Sequence, residues 1–237
     1  MVSKLILSVF SLCVLVNSGN IPDYIKVCKR SDPQLTQCVM DSIEHLRPQL
    51  KKGIPEINVP GLEPLFIKEV TIVRGQNNNF RAALKDVNVY GASNFKINKL
   101  KLNVPRLTFR VDITIPTLYM EGIYDIDAKI LVVPIKADCG GQGILKGELI
   151  TDDKGVRHLK FTTFTFAISI GDYSIQLDNL FNGDPTLSQA VNDVLHQNKK
   201  ELIGAAIPFI NRKAAEILLE MANGITYSVN YDEIFPE

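Results

Sequence analysis

Asp184-Pro185-Thr186-Leu187-Ser188-Gln189-Ala190-Val191-Asn192-Asp193-Val194-Leu195 opens a stretch that runs to Asn223-Gly224. An aspartate before proline reads as an N-cap with proline at the first helical position, and Asn-Gly reads as a stop. About 38 residues lie between the two signals, roughly 57 Å of helix at 1.5 Å per residue. Leu187, Val191, Val194, Leu195, Leu202, Ala206, Ile210, Ala214, Ile217, Leu218 and Met221 form a broad apolar stripe along it. Lys199, Lys200, Glu201, Arg212, Lys213, Glu216 and Glu220 fall mostly off that stripe. Pro208 interrupts the run, so the spacing predicts a kink there, eased by Gly204 one turn earlier. A stripe of this length must pack on something equally long.

The middle of the chain supplies it, because its apolar period changes from helical to alternating. Leu107, Phe109, Val111, Ile113 and Ile115 alternate with Thr108, Arg110, Asp112 and Thr114, which predicts a half-buried strand. Lys99–Val104 alternates as well, as does Leu118–Val132, with Leu118, Met120, Tyr124 and Ile126 on one side. Phe161–Ile170 repeats the pattern through Phe164, Phe166, Ile168 and Ile170. Shorter candidates cover Phe66–Val73, Arg81–Tyr90, Ile144–Ile150 and Tyr173–Leu177. Turns are expected at Gly75–Asn79, Gly140-Gly141 and Asp152–Gly155. Several runs exceed the usual five or six residues. Long antiparallel strands with polar outer faces make a large, bent sheet whose inner face needs covering. The expected class is α+β, with the long C-terminal helix against the inside of the sheet.

At the N-terminus, Lys4 precedes an apolar run from Leu5 to Val16 that ends at Asn17-Ser18-Gly19. A basic start, a short apolar stretch and small exit residues are those of a secretory leader, with cleavage expected after Ser18. Residues 19–237 then form one expected domain, exported to the extracellular space. The run is shorter than the roughly 20 residues that span a bilayer, so no stable membrane insertion is expected. The chain has 26 basic and 26 acidic residues, so nothing in its charge favours nucleic acid. In an oxidising compartment Cys28 and Cys38, ten apart, are the natural disulfide, and Cys139 is left as a buried, apolar thiol. Asp32-Pro33 predicts the start of a second, N-terminal helix carrying Leu35, Val39, Ile43, Leu46 and Leu50, ended or bent by Pro48.

Catalytic patterns are absent. The chain contains no Gly-x-Ser-x-Gly and no Walker loop. Cys139-Gly140-Gly141-Gln142-Gly143 fails the dinucleotide fingerprint. His45, His158 and His196 are isolated from one another, and neither they nor the cysteines have zinc-site spacing. Asp125 and Asp127 share the polar face of a strand, where solvated charges are the ordinary reading. No enzyme, cofactor or metal is therefore expected.

Five blocks occur in an order that resembles the insect juvenile-hormone-binding and takeout family. They are Ile21-Pro22 with Cys28–Pro33 and Cys38, then Lys52–Pro55 with Leu62–Leu65. Tyr124 with Leu131–Ile135 and the glycines to Gly143 follows, then Leu180–Asp184 with Asn192, and the tail Tyr231–Pro236. The resemblance implies a long helix wrapped by a highly curved antiparallel sheet, a super-roll like that of the TULIP folds, around an apolar cavity. It also implies the shared Cys28–Cys38 disulfide and a secreted, non-catalytic, monomeric carrier. Its cargo would be a terpenoid such as juvenile hormone, or a fatty-acid-like lipid, in haemolymph transport or in circadian, feeding or chemosensory physiology. Blood-borne hormone carriers have a second disulfide. With Cys139 unpartnered, the chain looks more like the takeout branch.

Inward faces supply the candidate lining: Phe109, Val111, Met120, Phe164, Phe166, Val194, Leu195 and Ile210, with Tyr124 as the polar handle. Plain core packing is the competing reading for each. Two further functional readings stand beside the carrier. One is a secreted structural or signalling protein with a filled core and a receptor-binding surface. The other is a hydrolase of hormone esters using His158.

Overall fold

Among the described residues the alternating middle of the chain folds into a seven-stranded sheet in which every pairing is antiparallel. The computed structural model describes residues 21–74, 81–126, 129–132, 135–175 and 184–237. The expected leader, the turn at Gly75–Asn79, the end of the strand expected to reach Leu177, and Leu180–Gly183 lie outside the described residues. The strands are β1 (Leu65–Arg74), β2 (Arg81–Tyr90), β3 (Lys96–Asn103), β4 (Thr108–Ile126), β5 (Lys129–Val132), β6 (Ile135–Thr151) and β7 (Arg157–Ile175). Their order is β1-β2-β4-β6-β7, with β3 and β5 also paired to β4.

β4 is one strand of 19 residues where the alternation predicts two. The apolar positions are odd up to Ile115 and even from Leu118, and the β6 ladder shifts register between those residues. Pro116 has no N–H to give to a ladder, so the strand bulges there. The bulge turns both halves of the apolar pattern to the same side. Gly140-Gly141 is not a turn as expected; it lies inside β6, opposite Ser169 and Ile168 of β7. The expected Asp152–Gly155 turn is present. Lys154 and Val156 donate backbone N–H groups to the Asp152 carboxylate, and Gly155 takes a left-handed φ of 79°.

Asp184 caps the long helical region as its sequence requires, accepting from the N–H groups of Thr186 and Leu187 at 2.9 and 3.0 Å. The region is two helices, α2 (Pro185–Gln197) and α3 (Lys199–Tyr227). The break falls at Asn198 rather than at Pro208, through which α3 continues. Asn198 donates its side-chain amide to the Val194 carbonyl at 2.8 Å, the local competition with helical bonding that asparagine favours.

Asn223-Gly224 is not the stop either. The Asn223 side chain donates to Phe161 O and accepts from Phe161 N–H, at 2.9 and 2.7 Å, on the open edge of β7. Twelve residues earlier, Asn211 accepts from Ile168 N–H at 2.8 Å. Two amides on one helix thus satisfy an edge strand that would otherwise offer unpaired backbone groups. Gly224 is small for a different reason, since a Cβ there would sit 2.7 Å from Ile57 O. α3 packs on both β7 and β1, the outermost strands, so the sheet curls around it.

The N-terminal helix, α1 (Leu35–Lys52), begins slightly later than expected. Asp32 forms a turn before it, accepting from Gln34 N–H at 2.7 Å. Pro48 lies inside α1 and does not end it. Leu46 and Leu50 are buried with Ile54, Val59, Leu62 and Met221, which seats α1 against α3. Cys28 and Cys38 are disulfide-bonded as expected.

Candidate functional site

The candidate interior is the inner face of the roll, and its two ends are built differently. At the end where β7 begins, the fold is filled by its own side chains. Leu159, Phe161 and Tyr231 form a buried cluster with Phe109, Leu145, Leu149, Leu219 and Phe235 packed on it. The rings of Phe109 and Phe161 meet edge-to-face at 5.3 Å, an attractive aromatic geometry. Tyr231 and Phe235 come from the tail, where a short helix α4 (Tyr231–Ile234) is capped by Asn230.

Polar bonds hold that tail in place. Asp232 receives the guanidinium groups of Arg157 and Arg30, and Arg30 lies over the Tyr231 ring at 5.5 Å. The N–H groups of Cys28 and Arg30 donate to Ile234 O and Pro236 O at 2.9 and 2.7 Å. His158 belongs to the same structure, with Nδ1 2.9 Å from Val229 O and its ring on that of Tyr227 at 4.9 Å. It is a tie between β7 and the end of α3.

In the middle of the roll, Phe164 and Phe166 lie side by side on β7 with ring centres 5.3 Å apart. They rest on Gly143 and Gly141 of β6, and Val111 stands opposite Gly143 on the other side. Ile210 is half-buried on α3, between the buried Ala206 and the Asn211 that binds β7. Cys139 lies on the same face of β6, and burial pushes its thiol up to about 11, aided by the Asp138 charge. It is an inert apolar filler at neutral pH.

At the other end, Met120, Val191 and Leu195 each pack on the buried Leu84, Val87 and Val89 of β2. Val194, one residue from Leu195, is 56 % exposed, and Leu187 and Leu202 are 47 and 41 % exposed. α2 has no fully buried residue at all. Tyr124 is placed only by register, opposite Leu84 of β2 and Leu131 of β5; its side chain lies outside the described residues.

The expected lining is therefore split. Phe109 is in the filled end, Phe164, Phe166, Val111 and Ile210 are in the middle, and Met120 and Leu195 are at the α2 end. Gly141, Gly143, Asn211 and the Tyr231–Phe235 plug were not read from sequence as parts of this interior. The glycines had a signal: two on one face of β6, spaced like the two phenylalanines of the neighbouring strand. Among the described residues no group of three or more His, Cys, Asp or Glu side chains converges to hold a metal ion. The Asp125–Asp127 pair lies outside the described side chains. Among the described residues no helix is long and apolar enough to cross a membrane.

Comparison with known proteins agrees with this architecture. The crystal structure of Epiphyas postvittana Takeout 1 superposes with a TM-score of 0.75 at 19 % identity, covering 90 % of this chain and all of that one. A Schistocerca gregaria protein designated beta-carotene-binding is 25 % identical over 90 % of this chain and 88 % of its own length. The circadian clock-controlled protein daywake of Drosophila melanogaster is 26 % identical over 94 % of this chain and 91 % of its own. The model of the haemolymph juvenile hormone binding protein family matches residues 5–236. With a curled antiparallel sheet around a long C-terminal helix, and a family match over nearly its whole length, the chain belongs to the haemolymph juvenile hormone binding protein family.

Proposed function

We propose that the protein is a secreted carrier that encloses one small apolar molecule, a terpenoid or fatty-acid-like lipid, between the helices and the inner face of the sheet, without chemical turnover. In this reading residues 1–18 are a leader, and residues 19–237 act as one monomeric domain. The observation that carries the reading is the unequal packing of the two ends. The plug end is closed by the chain's own aromatic rings, whereas Leu187, Val194 and Leu202 at the α2 end remain in contact with water. Exposed apolar surface costs about 25 cal/mol per Å², and a bound apolar guest removes it from water. Burying some 300 Å² of a terpenoid gives roughly 7 kcal/mol before the costs of association, which makes binding readily reversible. Family membership supports a small hydrophobic cargo, and the unpaired Cys139 favours takeout-type physiology over dedicated blood transport of juvenile hormone.

The test is displacement of a fluorescent apolar probe by a panel of terpenoids and fatty acids, with native mass spectrometry of protein isolated from its source. Saturable one-site binding and a co-purifying lipid are expected. Binding to none of the panel, with no lipid extracted, sinks the carrier in favour of a filled core that acts through its surface.

A further inference from the structure

We infer that Gly141 and Gly143 set the depth of the apolar interior and thereby decide how bulky a guest it admits. The inference rests on the carrier reading and adds the residues that control selectivity. Both glycines are buried on the inner face of β6, and both serve as beds for aromatic rings of β7. A Cβ on Gly141 would lie 2.3 Å from Cζ of Phe166, and one on Gly143 would lie 2.4 Å from Cε2 of Phe164. Ordinary contact begins near 3.4 Å, so each ring would have to rise by about 1 Å.

The direction of that rise is constrained. The β6–β7 ladder pairs Gly141 with Ile168 and Gly143 with Phe166, so the strands cannot separate locally without losing hydrogen bonds. Asn211 of α3 holds the same part of β7 through Ile168 N–H. The rings flank each other at 5.3 Å, so neither can swing toward the other. The route left to both rings together is rotation away from the sheet, into the space a guest would use. Gly140 differs, because its Cβ would point to the outer face and meet the Ser169 hydroxyl, a small rotor that can move aside.

A pair of apolar guests with similar length but different girth reads this out. All-trans-retinol has a methylated ring and a branched chain, whereas palmitic acid is slender. Each is titrated against bound N-phenyl-1-naphthylamine in the full mature protein. Gly141→Ala and Gly143→Ala are expected to lower the retinol-to-palmitate affinity ratio about tenfold, with Gly140→Ala unchanged. Gly141→Ala combined with Phe166→Leu is expected to restore the ratio, because the ring atoms that the new Cβ meets are gone. Phe166→Leu alone keeps both glycines, deepens the floor, and is expected to raise the ratio about threefold, so the idea is testable even if Gly141→Ala does not fold. An unchanged ratio in folded Gly141→Ala and Gly143→Ala, a fall that Phe166→Leu does not reverse, or an unchanged ratio in Phe166→Leu alone overturns the inference. Wild-type protein that binds neither molecule overturns the carrier reading and this inference together, a result distinct from an unchanged ratio in a binding-competent wild type.

Discussion

The plug end and the α2 end of the roll use similar residues to opposite effect. Both set leucines of a helix against a curved sheet, Leu219 of α3 at the plug and Leu195 of α2 at the other end. At the plug end a second layer arrives from the tail, so Leu159, Phe161 and Tyr231 are buried and the charged groups around them are paired. At the α2 end no such layer among the described residues covers Leu187 and Val194. The difference teaches that an amphipathic stripe alone does not produce a core. A stripe becomes core only where a further segment of chain completes its surroundings, and elsewhere it remains available to another apolar body.

Substitutions that remove comparable apolar groups from the two ends should therefore differ most in stability. Tyr231→Ala, at a residue 3 % exposed, is expected to cost about 3–5 kcal/mol in chemical denaturation. If it costs no more than an α2 substitution, the plug is not the stable end. Breaking the Cys28–Cys38 bond by double serine substitution frees the segment on which the tail docks. A loss of about 2–3 kcal/mol is expected for a loop this short, read as a lower melting temperature under non-reducing conditions.

Between the ends, Glu63 gives a pH signature. Burial alone would raise its pKa, but hydrogen bonds from Gly91 N–H, Ser93 hydroxyl and Ser93 N–H, with the Lys51 charge, hold it below the usual carboxylate value. A depressed folded-state value means that its stabilisation is full above the unfolded value near 4.5 and is lost as pH falls through the folded one. Glu63→Gln should flatten the stability profile in that acid window and cost about 1–2 kcal/mol at pH 7. An unchanged acid slope would show that other carboxylates set it. The smallest change in stability belongs to Val194→Ser. It is expected to shift unfolding by less than about 0.5 kcal/mol while weakening probe binding measurably. Equal stability with equal binding would remove α2 from the guest's surroundings.

The sheet was legible because strand alternation is local. Phe109 to Ile115 and Phe164 to Ile170 announce their faces within a few residues. The parity change around Pro116 was visible too, but it reads as a gap between strands unless the β6 ladder is known. The helix was legible at its start, where Asp184 caps its own backbone. It was misread at its end, because Asn223-Gly224 has the composition of a stop while its use is tertiary: Asn223 binds Phe161, and Gly224 clears Ile57. Lining residues were the least legible. Phe109 and Phe164 have the same pattern on their strands, and what separates them is whether Tyr231 and Phe235, far along the chain, arrive to fill the space. No local period contains that information.

The docking of the tail on Cys28 and Arg30 has a consequence for biogenesis. Residues 230–236 are synthesised after every element they contact, so the plug cannot form before the sheet and α3 have been made. The Cys28–Cys38 bond joins neighbours in sequence and needs none of the sheet, so its half of the dock can be ready first. Until those residues have been made, Leu159, Phe161 and Phe109 lack the rings of Tyr231 and Phe235 that pack on them in the finished fold.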